Sequence, residues 1–263
     1  NLNLFRNRLN FDISYYYKLT TDLLLERPVP HTTGFTSVMD NIGKVANQGL
    51  DFMVNTVNID TKDFGWSSTL NFNYNKNEIK KLGENDEDIL TGPSFWGYKR
   101  EGIWGEDEAE EAKAAGAGVG QPKRSKDREI LGKGLPDVTG SFINNFRYKN
   151  FDLTVDLQFV LGVDVYQQFL HSTEDRFGIA NALSSVLSEG WTPANTNTMI
   201  PALYSQNSQP DSHWVANGSY LRANLIQLGY TFEPSVLKAL HLGSLRAYFS
   251  VNNAFCITSK DFK

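Results

Sequence analysis

Period-two alternation of apolar and polar residues constrains this chain more than any other feature. Leu9, Phe11, Ile13, Tyr15, Tyr17 and Leu19 alternate with Asn10, Asp12, Ser14, Tyr16 and Lys18. Farther along, Phe151, Leu153, Val155, Leu157, Phe159, Leu161 and Val163 alternate with Asp152, Thr154, Asp156 and Gln158. Successive side chains of a β-strand point to opposite faces, so each stretch reads as a strand with one oily and one wet face. The pattern places strands at roughly 1–5, 8–20, 44–58, 65–80, 139–149, 151–166, 218–232 and 243–253. Short connections (6–8, 60–64, 149–150 and 233–242) alternate with long ones (about 21–43, 81–138 and 167–217). Strands of about 10 residues joined in this way are the signature of a transmembrane β-barrel, with lipid on the oily face and a watery lumen on the polar one. In a bacterial barrel the short turns face the periplasm and the long loops face outside. A soluble β-sandwich lectin would need the oily faces to pair with one another, and it has no reason to sort its loops by end.

Composition is compatible with this reading. The chain has 263 residues, 40% of them hydrophobic, and a mean hydropathy of −0.38. A barrel needs only every second strand residue to be apolar, so its average stays low. No run of apolar residues is long enough for a spanning helix. The net charge of −5, without a basic patch interleaved with aromatics, argues against nucleic acid as a partner. Cys256 is the only cysteine, which excludes an intrachain disulfide and a cysteine-rich metal site. There is no secretory signal at the start, and Asn1–Phe5 already reads as a strand, so the chain is expected to be a piece of a longer, processed protein. Phe64, Trp66, Tyr148, Phe151, Tyr230 and Phe232 flank the short turns and are expected to form an interfacial aromatic belt. Arg222 and Arg246 fall in otherwise apolar strands; because an arginine facing lipid costs about 2–4 kcal/mol at mid-depth, they should face the lumen or snorkel at the interface.

Catalytic constellations are lacking. His31, His171, His213 and His241 are scattered, with no HExxH or HxH spacing, and no GxSxG or Walker A motif occurs. The carboxylates Asp86, Glu87 and Asp88, and Glu106, Asp107 and Glu108, read as solvated loop faces. No catalytic residue, metal ligand or cofactor is expected. Residues 106–115 should form a short helix stopped by Gly116. The long loops carry Trp96, Tyr98, Trp104, Trp191, Trp214 and Tyr220, with Phe95 beside them. Such rings suit sugar stacking or protein interfaces. They are the candidate residues for ligand or lid contact, with loop packing as the competing role.

Taken in order, several motifs resemble the barrel of SusC/RagA-like TonB-dependent transporters. They are Arg8-Leu-Asn-Phe11 with Tyr16-Tyr17-Lys18; Asn41 to Asp51, with Asn47, Gly49 and Asp51 at the key spacings; and Tyr98 to Trp104 followed by Glu110-Glu111-Ala112. Asp127-Arg128 with Gly132 and Pro136, Trp191 to Asn195 with Ile200-Pro201, Gly218 to Arg222, Leu228 to Phe232, and Arg246 to Phe255 continue the series. The resemblance implies an all-β fold: about eight antiparallel strands at the C-terminal end of a larger outer-membrane barrel of about 22 strands, with long extracellular loops. On this reading residues 1–263 form one barrel portion, and the plug domain and last strand lie outside the chain. The implied function is TonB-dependent import of a nutrient, glycan or oligopeptide, across the outer membrane of Bacteroidota. The implied partners are a SusD-like surface lipoprotein, TonB–ExbB–ExbD acting through the plug, and outer-membrane lipid. A siderophore or cobalamin receptor, or a surface adhesin barrel, is the alternative. The segment between Gly116 and Asp127 lacks the acidic run that often precedes this Asp-Arg pair, so no calcium site is expected there.

Overall fold

A computed structural model describes residues 1–28, 37–82, 94–174, 181–205, 209–239 and 241–260. The chain divides into two compact units. The first comprises Asn1–Gly92, Pro136–Gly162 and Gly218–Lys260, and the second comprises Pro93–Leu135, Val163–Asn217 and Asp261–Lys263. In chain order the strands are β1 (Leu2–Leu4), β2 (Leu9–Pro28), β3 (Ser37–Asp60), β4 (Phe64–Leu82), β5 (Ser94–Ile103), β6 (Pro122–Lys133), β7 (Val138–Tyr148), β8 (Phe151–Leu161), β9 (Asp164–Tyr166), β10 (Val215–Asn217), β11 (Tyr220–Thr231), β12 (Arg246–Asn252) and β13 (Cys256–Thr258). Among the described residues four short helices accompany them: α1 (Ala109–Ala114), α2 (Gln168–Glu174), α3 (Ser184–Glu189) and α4 (Pro234–Ala239). Among the described residues no helix is long and apolar enough to cross a membrane.

The first unit is one antiparallel sheet in the order β1-β2-β3-β4-β7-β8-β11-β12, with β13 also on β11. It is open, with β1 at one edge and β12 and β13 at the other. Register explains why its faces differ. Ile13 opposes Phe52, Phe52 opposes Phe72, and Phe72 opposes Gly140, which opposes Phe159 and then Leu221. One residue along, Asp12 opposes Met53, then Asn71, Ser141, Gln158 and Arg222. Since side chains alternate, these rows lie on opposite faces. The oily row is exposed in many places: Ile13, Tyr15, Leu228 and Phe249 are all open. An apolar face of this extent left in the open marks a surface built for an apolar surrounding.

Four of the six aromatics expected in the belt form a row across the strand ends beside the short turns, while Trp66 stacks on Phe146 and Phe232 packs edge-on against Tyr230. Phe64 opposes Tyr148, Tyr148 opposes Phe151, and Phe151 opposes Tyr230, their ring centroids 4.7 Å apart. Arg222 and Arg246 both fall on the polar face, as the cost of an arginine in lipid requires.

Two strands are longer than the sequence pattern suggests. β2 runs to Pro28 and β3 begins at Ser37, so much of the expected loop at 21–43 is paired strand. Bulges at Thr20/Leu23 and Leu23/Leu24, with Asp22 at φ 58°, break the alternation while the pairing continues. The segment 81–138 differs as well: it contains the antiparallel hairpin of β5 and β6. Residues 83–93, with Asp86, Glu87 and Asp88, lie outside the described residues, as does His31. Between the hairpin strands, Glu106–Glu108 form a 3-10 turn that leads into α1. Gly116, at φ 74°, ends the helix in the left-handed conformation that favours glycine.

Candidate functional site

The polar face of the sheet carries a cross-strand belt of amides, hydroxyls and carboxylates. Asn71 Nδ2 donates to Ser141 Oγ at 3.0 Å, Thr69 Oγ1 to Asn55 Oδ1 at 2.7 Å, and Thr154 Oγ1 to Asn145 Oδ1 at 2.9 Å. Asn73 donates to Asp51. A depression of about 610 Å³ on this unit is lined by Asp12, Ser14, Asp51, Asn73, Gln158 and Tyr220, among others. Tyr220, one of the six candidate aromatics, therefore belongs to the sheet. Arg222 lies 5.1 Å from its ring and donates to Gln158. Asp156 accepts from Asn224 at 2.7 Å through Oδ2. Asp156 Oδ1 and Arg222 Nε are buried with no hydrogen-bond partner among the described residues.

The other five aromatics lie in the second unit, which is organised around Asp211. This carboxylate is fully buried. Its Oδ2 accepts from Arg100 Nε and Nη2 at 2.9 and 2.7 Å and from Arg124 Nε at 2.8 Å, while Oδ1 accepts the His213 backbone N–H at 3.0 Å. Charge-assisted bonds of this kind offset the desolvation that an isolated buried carboxylate would suffer. Arg100 also donates to the Met199 carbonyl and stacks 4.8 Å from the centroid of Trp214. Trp214 has no exposed surface, and His171 and His213 pack against it, their ring centroids 5.3 and 4.5 Å away. Sequence reading missed Arg100, Arg124 and Asp211, because more than eighty residues separate Asp211 from either arginine.

Trp104 and Trp191 are each 8% exposed and pack near the loop 118–121. Gly120, at φ 78°, lets that loop lie against the Trp191 ring, since a Cβ there would stand 3.0 Å from it. Trp214, Trp104 and Trp191 thus pack the unit's interior, whereas Trp96, 47% exposed, and the half-buried Tyr98 reach its surface. A cleft of about 510 Å³ is lined by Tyr98, Trp104, Lys123, Arg124, Lys126 and Gln209, together with Glu101 and the end of α1. Cations cover both of its rings: Lys123 Nζ lies 4.5 Å from the Trp104 centroid, and the Arg128 guanidinium 5.1 Å from that of Tyr98. Lys123 also pairs with Glu108. The hydrogen bond from Lys123, helped by the Gly105 backbone N–H, holds the Glu108 carboxyl below its usual range; the same bond raises the Lys123 ammonium above its own. No group of His, Cys, Asp or Glu suited to a metal ion occurs among the described residues.

Comparisons with known proteins agree with this architecture. The family "TonB dependent receptor-like, beta-barrel" matches residues 1–254. TonB-dependent receptor P3 of Formosa agariphila is 32% identical over 97% of this chain and 28% of its own length. TonB-dependent receptor SusC of Bacteroides thetaiotaomicron is 30% identical over 95% of this chain and 27% of its own. The RagAB peptide importer in the "open-open" state superposes with a TM-score of 0.77 at 25% identity, covering 98% of this chain and 30% of that one. The chain thus spans less than a third of the length of these relatives. Antiparallel strands with one apolar face, matched over residues 1–254, place the chain in the TonB-dependent receptor β-barrel family of outer-membrane proteins, among relatives of the SusC and RagA type.

Proposed function

We propose that this chain is the C-terminal barrel portion of a longer TonB-dependent importer that takes an oligomeric nutrient, glycan or peptide, across the outer membrane. In this reading the apolar face meets lipid and the polar face lines the lumen. The single observation that best supports it is the two-faced sheet itself, with an apolar row left exposed on one face and a cross-strand belt of amides, hydroxyls and carboxylates on the other. An upstream plug would fill the lumen, and TonB–ExbB–ExbD would act on that plug. A SusD-like surface lipoprotein completes the proposed assembly, with Trp96 and Tyr98 as the outward rings for cargo or lid contact and Tyr220 on the lumen wall. The role is transport without catalysis.

The test is a pull-down of the full-length parent from native outer membranes, with mass spectrometry of proteins and bound small molecules. Recovery of a SusD-like lipoprotein with glycan or peptide is the expected result. Recovery of the barrel alone with an iron chelate would overturn the reading in favour of a siderophore receptor.

A further inference from the structure

The cleft of about 510 Å³ in the second unit has a chemistry that the importer reading leaves open. Strand β6 brings Lys123, Arg124 and Lys126 to it. In a regular strand, neighbours such as Lys123 and Arg124 point to opposite faces. Here the β5–β6 pairing slips between Tyr98 and Arg100 and again between Arg100 and Gly102. Bulges re-aim side chains and are enriched beside functional sites. With these slips, Lys123 and Lys126 both line the cleft, beside Arg124, whose guanidinium is held by Asp211.

The aromatic rings of the cleft point the same way. A sugar ring stacks on an open aromatic face. The Trp104 ring is largely buried and has Lys123 over it, and Arg128 lies over the Tyr98 ring. A ligand entering the cleft therefore meets ammonium and guanidinium groups before it meets the rings. Glu108 neutralises Lys123. Lys126 and Arg128, by contrast, are exposed and make no ion pair with a described residue, and the carboxylate lining the cleft is that of Glu101.

We infer that this cleft binds a carboxylate-bearing unit of the oligomeric cargo, with Lys126 of its lining and Arg128, which lies outside the lining but over the Tyr98 ring, as the receiving cations. The inference rests on the importer reading and names the charge class of its substrate. A uronate sugar and an acidic amino-acid residue present the same group.

The experiment is equilibrium binding to the full-length parent purified in detergent. The probes are tetragalacturonate against maltotetraose, and a terminally blocked Asp/Glu-rich pentapeptide against an Ala/Ser-rich one. One acidic probe should bind about tenfold more tightly than its neutral counterpart, with the preference shrinking as salt rises. Which acidic probe wins identifies the source of the carboxylate. The double variant K126Q/R128Q should lose most of the preference. Both residues are exposed, so folding should be unaffected, and an unchanged heat-modifiability shift on gels would verify this. K126E should reverse the preference toward the neutral probe. Equal binding of acidic and neutral probes, binding of neither acidic probe, or a preference that survives K126Q/R128Q would overturn the inference. Failure of the importer reading would appear separately, as cells that take up no probe although the purified protein keeps its acidic preference.

Discussion

Arg246 on β12 reaches across the intervening strand β11 to Asp152 on β8, and the residue beneath this ion pair is Gly229. A Cβ on Gly229 would stand 2.6 Å from both Arg246 Nη2 and the Asp152 carboxylate. The glycine therefore makes room for a bond that ties three strands together at the end where the short turns lie. The same device recurs on the polar face of β3. The Tyr16 ring lies over Gly49, and its hydroxyl lies 3.2 Å from Asn75 on the far strand. Glycine weakens a strand by its flexibility, and a large neighbour laid over it restores packing.

The first prediction concerns this bridge. G229V should lower the thermal midpoint of the full-length parent in detergent, read by heat-modifiability, because overpacking of this kind costs about 1–3 kcal/mol. R246A/G229V should recover part of the loss, since one of the clashing groups is gone. If G229V melts like the parent, the bridge over the glycine is not a structural requirement.

The two faces of β11 give a sharper contrast. Leu228 lies on the apolar face, 48% exposed, and its neighbour Gln227 lies on the polar one. L228R, one alternation in from Tyr230 of the aromatic row, should destabilise insertion into lipid vesicles by about 1–2 kcal/mol, between the interfacial and the mid-depth cost, whereas Q227R should change it little. Folding titrations of both variants into vesicles measure the difference. Equal costs would mean that the faces are wrongly assigned.

The alternation on β8 and the first half of β2 was legible because neither stretch carries an extra residue; the one slip along β8 falls between Ala223 and Leu225 of its partner β11. The alternation failed where bulges intervene. Around Thr20 to Leu24 the register slips twice, so the period-two signal stops while the ladder runs on to Pro28 and Ser37. The β5–β6 hairpin was hidden for the same reason, with three slips in ten residues. The helix stop at Gly116 was legible because local residue chemistry decides it, and the short turn at 149–150 because alternating runs flank it on both sides. The candidate aromatics were found as residues but not as environments. Nothing in the spacing of Trp214 tells that Arg100 covers its ring, because that contact depends on a chain reversal more than a hundred residues long.

Asp211 supplies the third prediction. D211N removes the charge on which two guanidiniums converge, and uncompensated buried charge costs about 3–5 kcal/mol. The expected outcome in the full-length parent is new proteolytic cleavage within 94–133 or 199–214, with the barrel strands still protected. A cleavage pattern unchanged from the parent would show that Asp211 does not hold the second unit together.

The last prediction follows from Glu108 and Lys123. Glu108 is held below its ordinary carboxylate range by Lys123, so the stability this bond contributes is present above that range and is lost as pH falls through the lowered value. Lys123 is raised above its ordinary value; its contribution is present below that value and is lost only as pH climbs through the raised one. At neutral pH the pair is therefore intact, and Lys123 is occupied. E108Q breaks the pair without acid and releases an ammonium beside the cleft. Binding of the acidic probe to the full-length parent should tighten by roughly threefold in E108Q at neutral pH, with the neutral probe unmoved. In the unsubstituted protein the same tightening should not appear between pH 6 and 8, since neither partner titrates near there on these shifts. An E108Q variant that binds acidic and neutral probes as the parent does would show that Lys123 belongs to the packing of Trp104 alone and takes no part in binding.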